Sequence, residues 1–168
     1  MTIFFFCRIE KFEAQNLPVI FTQHGHVLKE DSYAEIVKWW GENGSIVRYS
    51  PAWQLMTELN SYAQPGKPNI VRIQDKNRYD SFVNTNLASI LHEKNVKKLI
   101  ITGTMTNLCC ETTARSAFNQ DFYVYFPADL NATINDEMQA ATILNLQYGF
   151  AQITDFKSIM EAVENLRI

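Results

Sequence analysis

The chain has 168 residues and a formal net charge of −3, with 46% hydrophobic and 20% charged residues. That is enough chain to bury a sizeable core in a single domain spanning 1–168, and the composition is that of an ordinary globular protein. The charge gives no electrostatic case for nucleic acid, no Lys/Arg run suggests a membrane surface, and three cysteines, two of them adjacent, fit a reducing cytoplasm better than a disulfide framework.

In chain order, residues 2–7 are aromatic and β-prone. They are too short for a membrane span and lack the basic region and cleavage site of a signal peptide. Residues 8–15 read as a short helix with Ile9 and Phe12 inward, and Asn16-Leu17-Pro18 breaks it. Residues 19–22 (VIFT) read as a buried strand that delivers the loop Gln23-His24-Gly25-His26. A helix over 33–40 follows, closed by Gly41 and Gly44. Ser50-Pro51 then caps another, with Trp53, Leu55, Met56 and Leu59 as its apolar stripe. A strand at 69–73 ends in Gln74-Asp75-Lys76, and a helix is expected near 86–93. Beyond the strand at 97–102 come a helix, a strand at 122–126, a long helix near 136–146, a strand at 151–153 and a closing helix at 156–166.

Strands alternating with helices predict an α/β fold: a three-layer α/β/α sandwich around a mostly parallel, Rossmann-like sheet of five to six strands. Ligands of such folds sit at the carboxyl ends of the strands. His24, Lys76, Cys109 and Asp129 all lie just past predicted strand ends.

The stretch 97–118, KKLIITGTMTNLCCETTARSAF, organises the rest. A buried strand (Leu99, Ile100, Ile101) enters a glycine turn at Gly103, and a helix starting at Thr106 or Asn107 carries Cys109 in its first turn. Unpaired N–H groups and the positive dipole end favour a thiolate there, so Cys109 is a candidate nucleophile. The same turn (Thr104, Met105, Leu108) supplies oxyanion donors. Cys110 points elsewhere on the helix and reads as packing, and Cys7 as structural.

GTMTNLCCETTARSAF resembles the nucleophile loop of the isochorismatase-like cysteine hydrolases, with Gly103, Thr106, Asn107, Cys109, Thr113, Ala114 and Ala117 in place. The segment Ile73-Gln74-Asp75-Lys76-Asn77-Arg78-Tyr79-Asp80-Ser81-Phe82 is similar to the family's lysine motif, which implies a catalytic role for Lys76. The resemblance also implies a cis peptide near Thr104-Met105. It further implies an aspartate general base at the end of a central N-terminal strand, and no such motif exists here: MTIFFFC contains no carboxylate. The chain therefore reads as a family member lacking that strand. MTIFFFC is squeezed into the slot, the sheet is gapped, or a partner supplies the pairing. Glu10 and Glu13 are weak substitutes, and Asp75 points to the opposite face from Lys76.

His24 and His26 alternate on an extended segment, so both could touch one metal. Nicotinamidases of the superfamily use a D-x-H…H pattern, but this chain has Thr22 where the aspartate would stand, and the expectation is no cofactor. His24, Trp53, Tyr79 and Phe82 are candidate substrate-lining residues, core packing being the competing reading. Arg115 is expected in a salt bridge and Asp129 in turn hydrogen bonds. The resemblance implies a cytoplasmic hydrolase, a homo-oligomer (dimer or tetramer), that cleaves a C–N bond of a small amide-type substrate through a Cys109 thioester. A missing general base implies weak turnover. The alternatives are a pseudoenzyme or oligomerising family member, and an isochorismatase acting on a vinyl ether.

Overall fold

The computed structural model describes residues 3–64 and 66–166, and its first element corrects the sequence reading. Helix α1 runs Ile3–Ala14, so the β-prone opening is helical from Ile3 onward. An extended segment with no strand beside it leaves its N–H and C=O groups unmatched, whereas a helix closes them internally. Asn16, at φ +53, ends the helix in the left-handed conformation that asparagine tolerates. Glu10 accepts from the Tyr62 hydroxyl at 3.3 Å and Glu13 from Lys67 at 2.8 Å, so both glutamates already have partners.

The chain divides into two compact units, one reaching to Arg78 and taking in residues 83–85, the other formed by residues 79–82 and 86 onward. The first contains β1 (Val19–Thr22), α2 (Leu28–Asp31), α3 (Glu35–Gly44), α4 (Thr57–Asn60) and β2 (Ile70–Ile73). β1 and β2 pair in parallel, Val19 opposite Ile70 through Thr22 opposite Ile73. α3 breaks at Gly41, which stands at φ +69. The single helix expected after Ser50 is a 3₁₀ turn at Pro51–Trp53, an extended Gln54, and the separate α4. Ile9, Ala34, Val37, Trp53, Ala63 and Ile73 form its buried apolar set.

The second unit contains α5 (Leu87–Glu93), β3 (Lys98–Ile100), β4 (Gly103–Thr104), α6 (Glu111–Asn119), β5 (Tyr123–Pro127), β6 (Asn131–Ala132), α7 (Asp136–Gly149), β7 (Gln152–Thr154) and α8 (Phe156–Glu164). β3, β5 and β7 form one parallel sheet in that order, and β4 pairs with β6. Leu87, Leu91, Ala114, Ala117, Leu146, Ile159, Met160 and Val163 of the helices are buried, as are Val124 and Phe126 of β5. Each large side chain so buried contributes roughly 1.5–3 kcal/mol.

Parallel pairing and alternating helices fit the α/β class, but the sheet is smaller than expected. Among the described residues the strands form sets of two, three and two. The cause is visible at β3. Lys97 accepts from the Tyr123 N–H and the Ile101 N–H donates to Tyr125, so residues 97, 99 and 101 turn their backbone groups to β5. In a parallel ladder the intervening Lys98, Ile100 and Thr102 then turn theirs to the other edge, where no described strand pairs with them. The strand expected to be buried is an edge, and Ile100 is 36% exposed. β1 likewise is half-buried, with Thr22 exposed. Among the described residues no helix is long and apolar enough to cross a membrane.

Candidate functional site

In the second unit, β3 leads through Gly103 at φ +134 and a cis Thr104–Met105 peptide into a π-helical turn, Thr106–Cys110, before α6 begins. The turn is held from inside: Met105 O accepts from Leu108 N at 3.1 Å and Cys110 N at 3.2 Å. A π turn widens the helix by one residue, and such turns recur at functional sites. Cys109 is half-buried in this turn, while Cys110 is 5% exposed. A Cβ on Gly103 would stand 3.8 Å from Cys110 Sγ, so the space is ordinary and the positive φ alone requires glycine. The two cysteines separate as expected: one reaches towards solvent and the other packs.

The segment after β5 clamps this turn. Asn131 Nδ2 donates to Ile101 O at 3.1 Å and Pro127 O at 2.8 Å, tying the ends of β3 and β5 together. Thr133 donates to Asn107 Oδ1 at 2.5 Å, fixing the residue two before Cys109. Glu111 accepts from Arg115 at 2.7 Å and from Thr142 at 2.7 Å, which joins α6 to α7. Arg115 is therefore in the expected salt bridge, and Asp129 accepts from the Phe156 N–H. Thr113 bridges to Ser81 (3.0 Å) and to the Tyr79 carbonyl (3.5 Å). Phe82 stacks on Phe122 at 6.0 Å, a packing contact.

The first unit holds the other candidates. Lys76 is 2% exposed and donates to Arg78 O at 2.6 Å, while neighbouring Asp75 is exposed, as alternation predicts. Lysine is almost never buried so deeply without a purpose. The His24 and His26 rings stand edge to face, 4.8 Å between centroids. Burial, followed by the Lys76 ammonium and the His26 ring, pushes His24 down to about 4. Burial also lowers His26, against the opposing pull of Asp31. Asp31 lies 3.6 Å from His26 Nδ1, and its own oxygens accept from Val27 N and Asn77 Nδ2, each at 2.9 Å.

Trp53 is 4% exposed and packs on Gly25: a Cβ at that glycine would fall 2.5 Å from the indole nitrogen. Gln23 donates to the Trp53 carbonyl and accepts from Arg72 at 2.8 Å, so the tryptophan is held in place. Arg48 reaches the Gly25 carbonyl at 3.4 Å.

The donor set does not fit a metal. Among the described residues no three His, Cys, Asp or Glu side chains come together, and the neighbours of His24 are the cationic Lys76 and Arg78. The structure thus groups Cys109, Thr104, Met105, Leu108, Tyr79 and Phe82 in one unit, and His24, Trp53 and Lys76 in the other. Sequence reading missed Arg48, Asp31, Asn131 and Thr133. Only Asn131 and Thr133, alternating after a strand end, carried a local signal.

A family model described as Isochorismatase domain matches residues 6–158. Nicotinamidase 3 of Arabidopsis thaliana is 37% identical over 140 residues, covering 83% of this chain and 68% of that protein. Among solved structures, a cysteine hydrolase from Pseudomonas syringae pv. phaseolicola 1448A superposes with a TM-score of 0.81 at 23% identity, over 95% of this chain and 79% of that one. A nicotinamidase from Bacillus subtilis gives 0.77 at 21% identity, over 90% and 82%. These two likenesses concern the fold.

Proposed function

The chain belongs to the isochorismatase domain family, a family of hydrolases, and on that premise we propose that it cleaves the C–N bond of a small amide through Cys109. The Cys109 thiolate attacks the carbonyl carbon, and backbone N–H groups of the turn from Thr104 to Leu108 hold the oxyanion. The Leu108 N–H must leave Met105 O to take part. The proton given up by the Cys109 thiol goes to the departing nitrogen, which leaves as ammonia or an amine. Water then adds to the thioester, its hydroxyl staying on the acyl carbon and its other proton restoring the Cys109 thiol as the C–S bond breaks, and the carboxylic acid leaves. Taking the first proton from Cys109 is general-base work, typically worth ~10²–10⁴-fold.

The observation that supports this reading is the strand, glycine turn and π turn that leave Cys109 half-exposed while Cys110 packs inward. The likeness to a nicotinamidase supports the amide substrate. The test is iodoacetamide labelling near neutral pH with mapping of the modified cysteines, beside ammonia release from nicotinamide and simple carboxamides. Fast, selective modification of Cys109 with ammonia release that disappears in Cys109→Ala is the expected outcome. Sluggish, unselective labelling without ammonia release would favour the non-catalytic family member.

A further inference from the structure

Among the described residues of the first unit, the buried side-chain nitrogens His24 Nδ1, Arg48 Nε and Trp53 Nε1 have no hydrogen-bond partner, and His26 Nδ1 has only the Asp31 carboxylate at 3.6 Å. Buried polar atoms are nearly always satisfied, so a cluster of such atoms marks a missing partner. Their residues are gathered around Gly25. Trp53 lies against Gly25, whose carbonyl accepts from Arg48, and Arg48 N donates to His26 O in the backbone. His24 and His26 flank that glycine.

The chemistry of the missing partner follows from the atoms themselves. An indole N–H and a guanidinium Nε–H can only donate, so the partner must bring acceptors. Arg48, Lys76 and Arg78 place positive charge around the histidines, which disfavours a cation and favours an anion. Asp31 brings one negative charge to the His26 side, where it accepts from Val27 N and Asn77 Nδ2. The indole is also preorganised, because Gln23 and Arg72 hold Trp53 from its backbone side and with a guanidinium 5.8 Å from its ring.

We infer that the loop His24-Gly25-His26, with Arg48 and Trp53, is an oxyanion-binding site whose two N–H donors take the two oxygens of a small carboxylate, or two oxygens of a phosphate. The 72% exposed ring of Tyr49 stands edge-on to Trp53 at 5.0 Å. Tyr49 sits at φ +69, a conformation a tyrosine rarely adopts. The site needs no reaction at Cys109, so it stands or falls independently of the hydrolase reading.

Proton–nitrogen NMR of the full chain tests it. The indole N–H peaks come from Trp39, Trp40 and Trp53, and Trp53→Phe assigns the last. Titration with acetate and benzoate should move the Trp53 indole and Arg48 Nε–H peaks saturably, and Arg48→Gln should weaken binding about tenfold or more, as loss of a charge-assisted hydrogen bond does. In Trp53→Phe, the Arg48 peak alone reports the same weakening should Arg48→Gln fail to fold. A saturable response to inorganic phosphate in preference to the carboxylates assigns the site to phosphate groups. Overturning results are shifts that rise linearly without saturation, shifts unchanged in both variants, or a response to zinc and none to any anion.

Discussion

Among the described residues, the buried side-chain atoms that lack a hydrogen bond differ in kind between the two units. Around the His24–His26 loop they are nitrogens, whereas beside the nucleophile turn they are oxygens: Thr106 Oγ1, Asn131 Oδ1 and Gln139 Oε1. Asn131 and Gln139 already donate through their amide nitrogens, to Ile101, Pro127, Ala128 and Asn131 carbonyls, so only their acceptor lone pairs stand idle. An idle carbonyl-type acceptor is the milder vacancy. An idle guanidinium or indole donor is a strong one, because neither can act as an acceptor instead. In the nucleophile turn the stronger vacancy is Thr106 Oγ1, a buried hydroxyl without a partner, while Asn107 and Asn131 beside it are tied by their own chain. The histidine loop is shaped to be finished by something else.

Four experiments break or sharpen that contrast, in falling order of effect. Cys109→Ala should abolish amide hydrolysis, a loss of about 10⁴-fold or more in kcat with melting temperature unchanged. Cys110→Ala should instead leave labelling of Cys109 intact and cost about 1 kcal/mol in denaturant melts, because it empties a packed site. A reversal of those two results would erase the division of labour between the cysteines.

Gly25→Ala comes next. Its Cβ would stand 2.4 Å from Trp53 Cδ1, and forcing the indole aside should cost about 3 kcal/mol. Trp53→Leu in that background should recover part of the loss. If Gly25→Ala melts like the parent chain, the indole is not locked where the oxyanion inference needs it.

The pH dependence is third. His24 has a folded value of about 4 against 6.5 unfolded, so the unfolded chain binds the extra proton between those limits. Stability should be fully present above pH 6.5 and fall by about 2 kcal/mol as pH drops towards 4. His24→Gln should flatten that slope, with His26 leaving a remainder of the same sign. A chain whose urea midpoint is constant from pH 7 to 4 would contradict the buried, cation-flanked imidazole.

The smallest effect is expected at Thr133→Val, which removes the hydrogen bond to Asn107 at a cost of about 1 kcal/mol. Because Asn107 sits two residues before Cys109, kcat should fall more than KM rises. An equal loss in both would make Thr133 structural only.

What the sequence revealed follows the same division. Strand, glycine, nucleophile and helix are contiguous within 97–118, so backbone preference and spacing speak for them, and the structure places Cys109 and Cys110 as read. The α/β class was legible from the alternation of elements. The width of the sheet was not, because pairing depends on which strands find neighbours, and the aromatic residues that looked like a strand close their bonds in α1. Nor was the donor cluster. Arg48, Trp53 and Gly25 come from separate segments joined by tertiary packing, and a solitary arginine leaves no mark at the level of pattern. Asn131 and Thr133 could have been found from their alternation after the β5 strand end, had it been weighted.

The open side of β3 has a consequence for handling the protein. The outward backbone groups of Lys98, Ile100 and Thr102, within an apolar run, are a template for pairing with another chain, the first step of aggregation. Lys97 and Lys98 stand at its head, and Lys98 turns its backbone to that open side. Charges so placed act as gatekeepers, since stacking two such edges in register brings ammonium groups together. Solubility should therefore depend on keeping those two lysines charged.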